Sequence, residues 1–230
     1  MLNDLKNKID FYIRNKTKFS IKNFVEKNKK MIEHNKCENL YTIDILEKCI
    51  TKVPTNFANI LDIGCKNWFY AKGEYHFFKS FCNEIELDGI ELDAHRLYSN
   101  LYSRYEVAKY HIKELKNTNY IIGNLLTLNK KYDFIVWFLP FVTIEPHKNW
   151  GLPEKLFTPE ALLSHAYYLL KDGGQMLIIN QGEKEADIQR EMLKELNIKY
   201  NSIGIVKSNN LTYNYDRYAF LIRKRIYKPE

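Results

Sequence analysis

Residues suited to binding a small ligand follow the predicted strands of this 230-residue chain. Short apolar runs at 59–64, 87–92, 120–122 and 132–138 predict four buried strands. In an open parallel sheet, ligands bind beyond the carboxyl ends of the strands. The residues at these ends are therefore the candidates: Gly64-Cys65-Lys66-Asn67, Glu91-Leu92-Asp93, Gly123-Asn124-Leu125 and Phe138-Leu139-Pro140-Phe141.

The elements that position these residues alternate between strand and helix. Further strands are predicted at 176–180, 199–206 and 217–223, and helices at 69–82, from an Asp93 cap to Tyr105, from Thr158 to Gly173-Gly174, and at 183–196. This alternation predicts an α/β fold, a mostly parallel sheet with helices on both faces. The turn-rich link at Ser208-Asn209-Asn210 indicates that one strand is inserted antiparallel.

The N-terminal region differs from the rest in charge. Residues 1–36 hold ten basic and four acidic side chains, a charge of +6 out of +7 for the chain. Apolar residues at helical spacing predict that 1–50 is helical, so we divide the chain into a basic helical segment, 1–54, and an α/β domain, 55–230. The basic helix either packs its apolar face on the domain, tracks nucleic acid phosphates, lies on a membrane or binds a protein.

Composition limits the classes of protein. No run approaches the roughly 20 apolar residues of a membrane span, and the polar N-terminus lacks the apolar stretch of a secretory signal, which predicts a cytoplasmic protein. Its four cysteines have no metal-ligand spacing and are expected to be free thiols, and no metal site is predicted.

Four motifs in order resemble the class I methyltransferase family over roughly residues 55–225. They are Ile60-Leu61-Asp62-Ile63-Gly64-Cys65, Asp88-Gly89-Ile90-Glu91-Leu92-Asp93, Tyr132-Asp133-Phe134-Ile135-Val136 and Leu169-Leu170-Lys171-Asp172-Gly173-Gly174. The resemblance implies a three-layer, Rossmann-like, seven-stranded sheet. It also implies a cofactor, S-adenosylmethionine, and its demethylated product, S-adenosylhomocysteine.

The same resemblance implies roles for the strand-end residues. Glu91 would accept the two ribose hydroxyls, or else it is a solvated loop acid. Gly64 would let the ligand approach the backbone, or else it only makes a turn. Asp62 would orient the loop, accept from the amino acid part of the ligand or cap buried backbone. The predicted cofactor-binding residues are Asp62, Gly64, Cys65, Glu91, Asn124, Leu125 and Phe138.

The chain also departs from the family pattern. Lys66, Asn67 and Trp68 stand where the family has further glycines. We expect Asn67 to take the left-handed conformation there, and Lys66 and Trp68 to narrow the pocket. Asn124 replaces the acid that binds adenine, but its side-chain oxygen can still accept that bond.

The acceptor segment after the fourth strand does not identify the catalytic group. It runs from Phe138 to His147, and only Pro140 and Phe141 match the motif of enzymes that methylate amino groups of bases. Phe141 is expected to be a core or wall residue rather than a stacking platform. Glu145 and His147 are either candidate bases or ordinary loop residues.

These observations predict an S-adenosylmethionine-dependent methyltransferase whose acceptor and catalytic residue are unknown. The alternative is a non-catalytic module on the same fold that binds S-adenosylmethionine or, through the basic N-terminal segment, nucleic acid. A dinucleotide-dependent oxidoreductase is disfavoured because no G-x-G-x-x-G pattern follows the first strand.

Overall fold

The computed structural model describes residues 21–22, 29–99 and 101–225. In this part of the chain, seven strands form one sheet: β1 (Thr55–Ile63), β2 (Cys82–Glu91), β3 (Thr118–Ile122), β4 (Tyr132–Phe138), β5 (Leu170–Gln181), β6 (Tyr200–Val206) and β7 (Arg217–Arg223). The α-helices are α1 (Lys29–Cys49), α2 (Ala71–Lys79), α3 (Arg104–Ile112), α4 (Ile144–Asn149), α5 (Pro159–Leu169) and α6 (Gly182–Glu195). Short 3-10 turns lie at Leu125–Thr127 and Glu154–Leu156.

The strands are ordered β3-β2-β1-β4-β5-β7-β6. Strand β7 pairs antiparallel with both β5 and β6, whereas the pairs among β1 to β5 are parallel. The predicted α/β fold with one antiparallel strand is therefore confirmed. The chain builds outward from β1 in one direction and then from β4 in the other, so the β1–β4 boundary is the switch point where a crevice opens.

Helices cover both faces of the sheet, and the strands alternate between two cores. Ile60 and Phe134 belong to a core that includes residues of α1 and α2, whereas Leu61 and Ile135 belong to one that includes residues of α5 and α6. This alternation follows from the two-residue period of a strand. The central strands are apolar on both sides because both faces are covered.

Helix α1 packs into the first of these cores. Its residues Tyr41, Ile45 and Leu46 are buried there. Much of the basic segment predicted to be helical, residues 1–20 and 23–28, lies outside the described residues. Its nucleic-acid role and the domain division at residue 54 stay predictions.

The helix predicted to begin at Asp93 begins instead at Arg104. Residues 92–95 form a turn, and Asp93 accepts side-chain bonds from Arg96 and Arg104 rather than capping a helix. Ser103 is the true cap: its hydroxyl accepts from the Glu106 N–H at 3.2 Å, and the Glu106 carboxylate accepts from the Ser103 N–H at 2.9 Å. This reciprocal pair is a capping box.

The glycine pair predicted to close a helix lies within β5. Helix α5 ends at Leu169, and pairing of β5 with β4 shifts register between Tyr132 and Phe134. A Cβ on Gly174 would lie 2.8 Å from the Lys171 carbonyl oxygen and 2.9 Å from that of Asp133. Glycine at 174 thus permits the close backbone approach that this bulge requires.

Within the described ranges, no helix is both long and apolar enough to cross a bilayer. Cys37, Cys49, Cys65 and Cys82 are free thiols, and all but Cys37 are buried. The cytoplasmic location stays a prediction.

Candidate functional site

A cavity of about 370 Å³ opens at the carboxyl ends of the central strands. Five of the seven predicted site residues line it, namely Gly64, Glu91, Asn124, Leu125 and Phe138. Asp62 and Cys65 do not line it, because both are fully buried behind the loop that follows β1. The volume lies in the range of small-molecule and cofactor sites.

Glu91, the last residue of β2, is held firmly at the cavity wall. Its Oε2 accepts from the Lys66 N–H at 2.9 Å, and its Oε1 accepts from the Asp93 N–H at 2.7 Å. The Arg104 guanidinium lies 3.7 Å from Oε1. Each carboxylate oxygen has two lone pairs, so both oxygens can accept a further bond from a ligand.

The loop after β1 makes its turn without the family's later glycines. Gly64, Lys66 and Trp68 have φ of 74°, 55° and 47°, so two ordinary side chains occupy the left-handed region. Asn67, which was predicted to adopt this conformation, does not. The turn is held by bonds to the Lys66 backbone, since its N–H donates to Glu91 and its carbonyl accepts from the Tyr120 hydroxyl.

Trp68 fills the interior instead of narrowing the pocket. Its indole is fully buried, and it lies outside the cavity lining. A Cβ on Gly89 would lie 2.8 Å from the Trp68 ring and 2.9 Å from the Cys65 Sγ. Gly89 in β2 therefore leaves the space that these two side chains occupy, and of the two bulky loop residues only Lys66 reaches the cavity.

A buried carboxyl pair, Asp62 and Glu74, lies beneath this loop. Asp62 Oδ2 accepts from the Tyr70 hydroxyl at 2.9 Å, and Glu74 Oε2 accepts from the Trp68 Nε1–H at 2.8 Å. Burial raises the pKa of Asp62 to about 8, and burial followed by the charge of Asp62 holds the pKa of Glu74 well above its usual value. Both carboxyls therefore retain their protons above the usual pH range, and Asp62 orients the loop from its buried side through Tyr70.

Lys66, Arg104 and Trp150 form a cationic wall, and of these three only Lys66 was expected at the pocket from the sequence. The Lys66 Nζ lies 4.8 Å and the Arg104 Cζ 4.5 Å from the Trp150 ring centroid, and all three residues line the cavity. Burial, followed by the charge of Arg104, lowers the pKa of Lys66. Cation–π contacts join the loop after β1 to the segment after α4; no local sequence signal links residues so far apart.

The segment after β3 presents backbone and an apolar side chain to the cavity. Gly123 has φ 156°, and a Cβ placed on it or on Gly64 meets nothing within 4 Å. A ligand can therefore approach the backbone at both strand ends. The Asn124 oxygen accepts from the Leu126 N–H at 3.0 Å, which leaves one of its lone pairs for a ligand.

The far end of the cavity is aromatic. Phe141 lines it as a wall residue, packed edge-on against His147, which in turn packs against Phe157. His147 is buried, and its Nε2 lies 2.9 Å from the Pro153 carbonyl oxygen, so it fastens the segment that follows α4. Glu145 is exposed and lies outside the lining, a position that does not suit a base in this cavity.

Helix α6 supplies a polar wall that was not predicted. Glu185 and Gln189 lie one turn apart on one side of the helix, Gln181 directly precedes its first residue, and all three line the cavity. The regular four-residue spacing of polar residues was the available sequence signal. These residues could be assigned to the site only with the knowledge that this side of α6 faces the β4–β5 end of the sheet.

No protein-family model matches the sequence, and a comparison with curated proteins gives no significant match. Solved structures do match. The chain is similar to a SAM-dependent methyltransferase from Aquifex aeolicus, with 14% identity and a TM-score of 0.52. The match covers 80% of this chain and 89% of that one.

Two further matches have slightly higher TM-scores. An S-adenosylmethionine-dependent methyltransferase from Clostridium acetobutylicum has 10% identity and a TM-score of 0.56, covering 82% of this chain and 92% of its own. A class I methyltransferase described as putative, from Listeria monocytogenes, has 15% identity and a TM-score of 0.56, covering 85% and 61%. At these identities the likeness shows the fold: the chain has the class I methyltransferase fold, which confirms the expected architecture.

Proposed function

We propose that this chain is an S-adenosylmethionine-dependent methyltransferase. The observation that carries the proposal is Glu91, a strand-end carboxylate whose oxygens are fixed by two backbone N–H groups at the wall of a cavity. On this fold, such an acid is placed to accept two neighbouring hydroxyls of a ribose through charge-assisted bonds.

The surrounding residues fit the rest of the cofactor. Gly64 and Gly123 leave open space before the backbone at adjoining strand ends. Leu125 offers an apolar surface to the adenine ring, and Asn124 keeps a lone pair for its amino group. Phe138, the last residue of β4, also lines the cavity. Asp62 and Cys65 contribute indirectly, by holding the loop after β1 from its buried side.

The chemistry requires little more than placement. When bound, S-adenosylmethionine supplies a methyl group on a positively charged sulfur. The chain's own part is to align the acceptor with that carbon and to exclude water. The aromatic residues Phe141 and Phe157 suit this task because they are apolar and are held in place by ring contacts with His147.

Calorimetry of the full chain with S-adenosylhomocysteine tests the cofactor site. Glu91→Ala should weaken binding by roughly 1–3 kcal/mol because the ribose hydroxyls lose their acceptor. Glu91→Gln, which keeps the shape and one oxygen, should lie between this variant and the wild type. Unchanged affinity in Glu91→Ala would refute the assigned role.

Glu84→Ala is the matched control. Glu84 lies at the opposite end of the same strand and is exposed, so this change removes the same charge far from the cavity. Its affinity should equal that of the wild type. A wild-type chain that binds neither S-adenosylmethionine nor S-adenosylhomocysteine would overturn the proposed function itself. A chain that binds both but transfers no methyl would be a binding module.

A further inference from the structure

The polar wall formed by α6 contains a buried donor without a partner. Gln189 is 1% exposed, and its Nε2 has no hydrogen-bond partner in the described part of the chain. A buried polar group left unpaired costs stability. Because Gln189 also lines the cavity, the missing partner is most simply an atom of a bound ligand.

Glu185 stands one helical turn before Gln189 on the same side of α6. Its Oε2 accepts from the Gln181 N–H at 3.0 Å, which fixes the carboxylate against the helix start. Burial raises the pKa of Glu185. An ionised carboxylate only accepts hydrogen bonds, so a ligand on this wall must present a donor to Glu185 and an acceptor to Gln189.

The rest of this end is apolar and lacks the cations of the other end. Phe141, Val142, Leu162, Leu163 and Met192 belong to the lining here. Lys66 and Arg104 instead contact Trp150, and Arg104 also pairs with Asp93 and lies near Glu91. The charges therefore suit the ionic cofactor at one end and a neutral molecule at the other.

The segment that follows α4 forms one side of the cavity. Trp150 carries the contacts of Lys66 and Arg104 on its ring, while its carbonyl accepts from the Arg96 guanidinium. His147 and Pro153 close the same segment on itself. The cavity, about 370 Å³ in volume, is of the size that small-molecule sites have.

We propose that the methyl acceptor is a small, neutral, largely apolar molecule bound on the α6 wall, where Gln189 donates to it and Glu185 accepts from its protic nucleophile, a hydroxyl or an N–H group. This inference rests on the proposed function. In the transfer, a lone pair of the nucleophile forms the bond to the methyl carbon, and the carbon–sulfur bond breaks with its electron pair remaining on sulfur. The proton of the nucleophile passes to the Glu185 carboxylate.

The test uses the full chain and S-adenosylmethionine with a tritiated methyl group, incubated with an extract of the source cells. Afterwards the extract is separated into proteins, nucleic acids and small molecules, and the last fraction is divided by ion exchange. We expect the label in neutral small molecules. Label confined to nucleic acid, to protein or to charged small molecules would overturn the inference.

Variants of α6 then test the wall itself. Gln189→Ala should lower transfer to the small-molecule product about tenfold, since a buried hydrogen bond to the acceptor is lost, while S-adenosylhomocysteine binds as before. Gln189→Met keeps the size without the unpaired donor, so it should lose transfer similarly without a lower melting temperature. Glu183→Gln, an exposed change on the same helix, should behave as the wild type.

These measurements separate two failures. If the wild type does not bind S-adenosylhomocysteine, the proposed function is wrong. If it binds and transfers methyl, but both Gln189 variants transfer as the wild type does, the function stands and the acceptor wall is wrongly assigned.

Discussion

Asp62 and Glu91 are carboxylates near the ends of neighbouring strands, yet their surroundings differ. Glu91 lies at the cavity wall, with backbone donors on both oxygens. Asp62 lies on the buried side of the loop next to Glu74, where burial raises the pKa of both carboxyls. The difference shows that position in the sheet does not decide whether an acid faces a ligand; the packing of the intervening loop does.

The largest effect should come from the buried side of the loop. Trp68→Ala removes a fully buried indole and should lower the free energy of unfolding by about 3–5 kcal/mol, since it leaves a cavity and removes the N–H that donates to Glu74 Oε2. Urea unfolding measures this change. Trp150→Ala is the control on the cavity side, where the ring is only half-buried, and its loss should be much smaller. Equal losses of unfolding free energy in Trp68→Ala and Trp150→Ala would mean that the buried side and the cavity side contribute equally to stability.

A pH titration sharpens the comparison for Asp62. Because burial raises the pKa of Asp62 from 3.8 to about 8, the folded state binds this proton more tightly than the unfolded chain does. Its contribution to stability is therefore complete below about pH 4 and is lost as the pH rises towards 8.

Asp62→Asn should remove part of that loss. The amide keeps the bond from Tyr70 and donates to Glu74, so the free energy of unfolding at pH 8 should rise by about 1–3 kcal/mol relative to the wild type. Unfolding curves at several pH values measure this rise, and Asp187→Asn, at an exposed acid of α6, controls for the lost charge. A wild type whose stability increases between pH 5 and 8 through this site would contradict the raised pKa of Asp62.

The smallest effect should come from the cap that holds Arg104 beside Glu91. Ser103→Ala removes the capping-box hydroxyl and should cost about 1 kcal/mol of stability. Ser80→Ala, whose hydroxyl donates to Phe77 near the end of α2, provides a comparison far from the cavity. If Ser103→Ala also weakens S-adenosylhomocysteine binding, α3 supports the Glu91 side of the site as well as its own fold.

The sequence was sufficient to predict the strands of the sheet, but it was less informative about the segments that connect them. All seven strands were predicted, and the central ones most directly, since buried parallel strands carry continuous apolar residues that are easy to recognise. Asp93 was mistaken for a helix cap because its carboxylate instead pairs with Arg96 and with Arg104, which lies eleven residues further along the chain. The correct helix start was nonetheless visible in the local sequence, as Ser103 followed three residues later by Glu106.

The site was predictable only where strand ends define it. Five of the proposed residues line the cavity, because the carboxyl ends of parallel strands meet at one edge. Trp150 and Gln189 reach it from segments whose path depends on tertiary packing. Likewise, the inward direction of Trp68 depends on the space above Gly89, which no motif reveals.

The surroundings of Trp150 also have a consequence for the fluorescence of the protein. The protein has three tryptophans, and two of them, Trp68 and Trp137, are buried in the cores. Trp150 alone is half-exposed, with cationic side chains against its ring. A ligand that displaces Lys66 or Arg104 changes the electric field on that indole and hence its emission, so the protein carries its own fluorescent reporter of cavity occupancy.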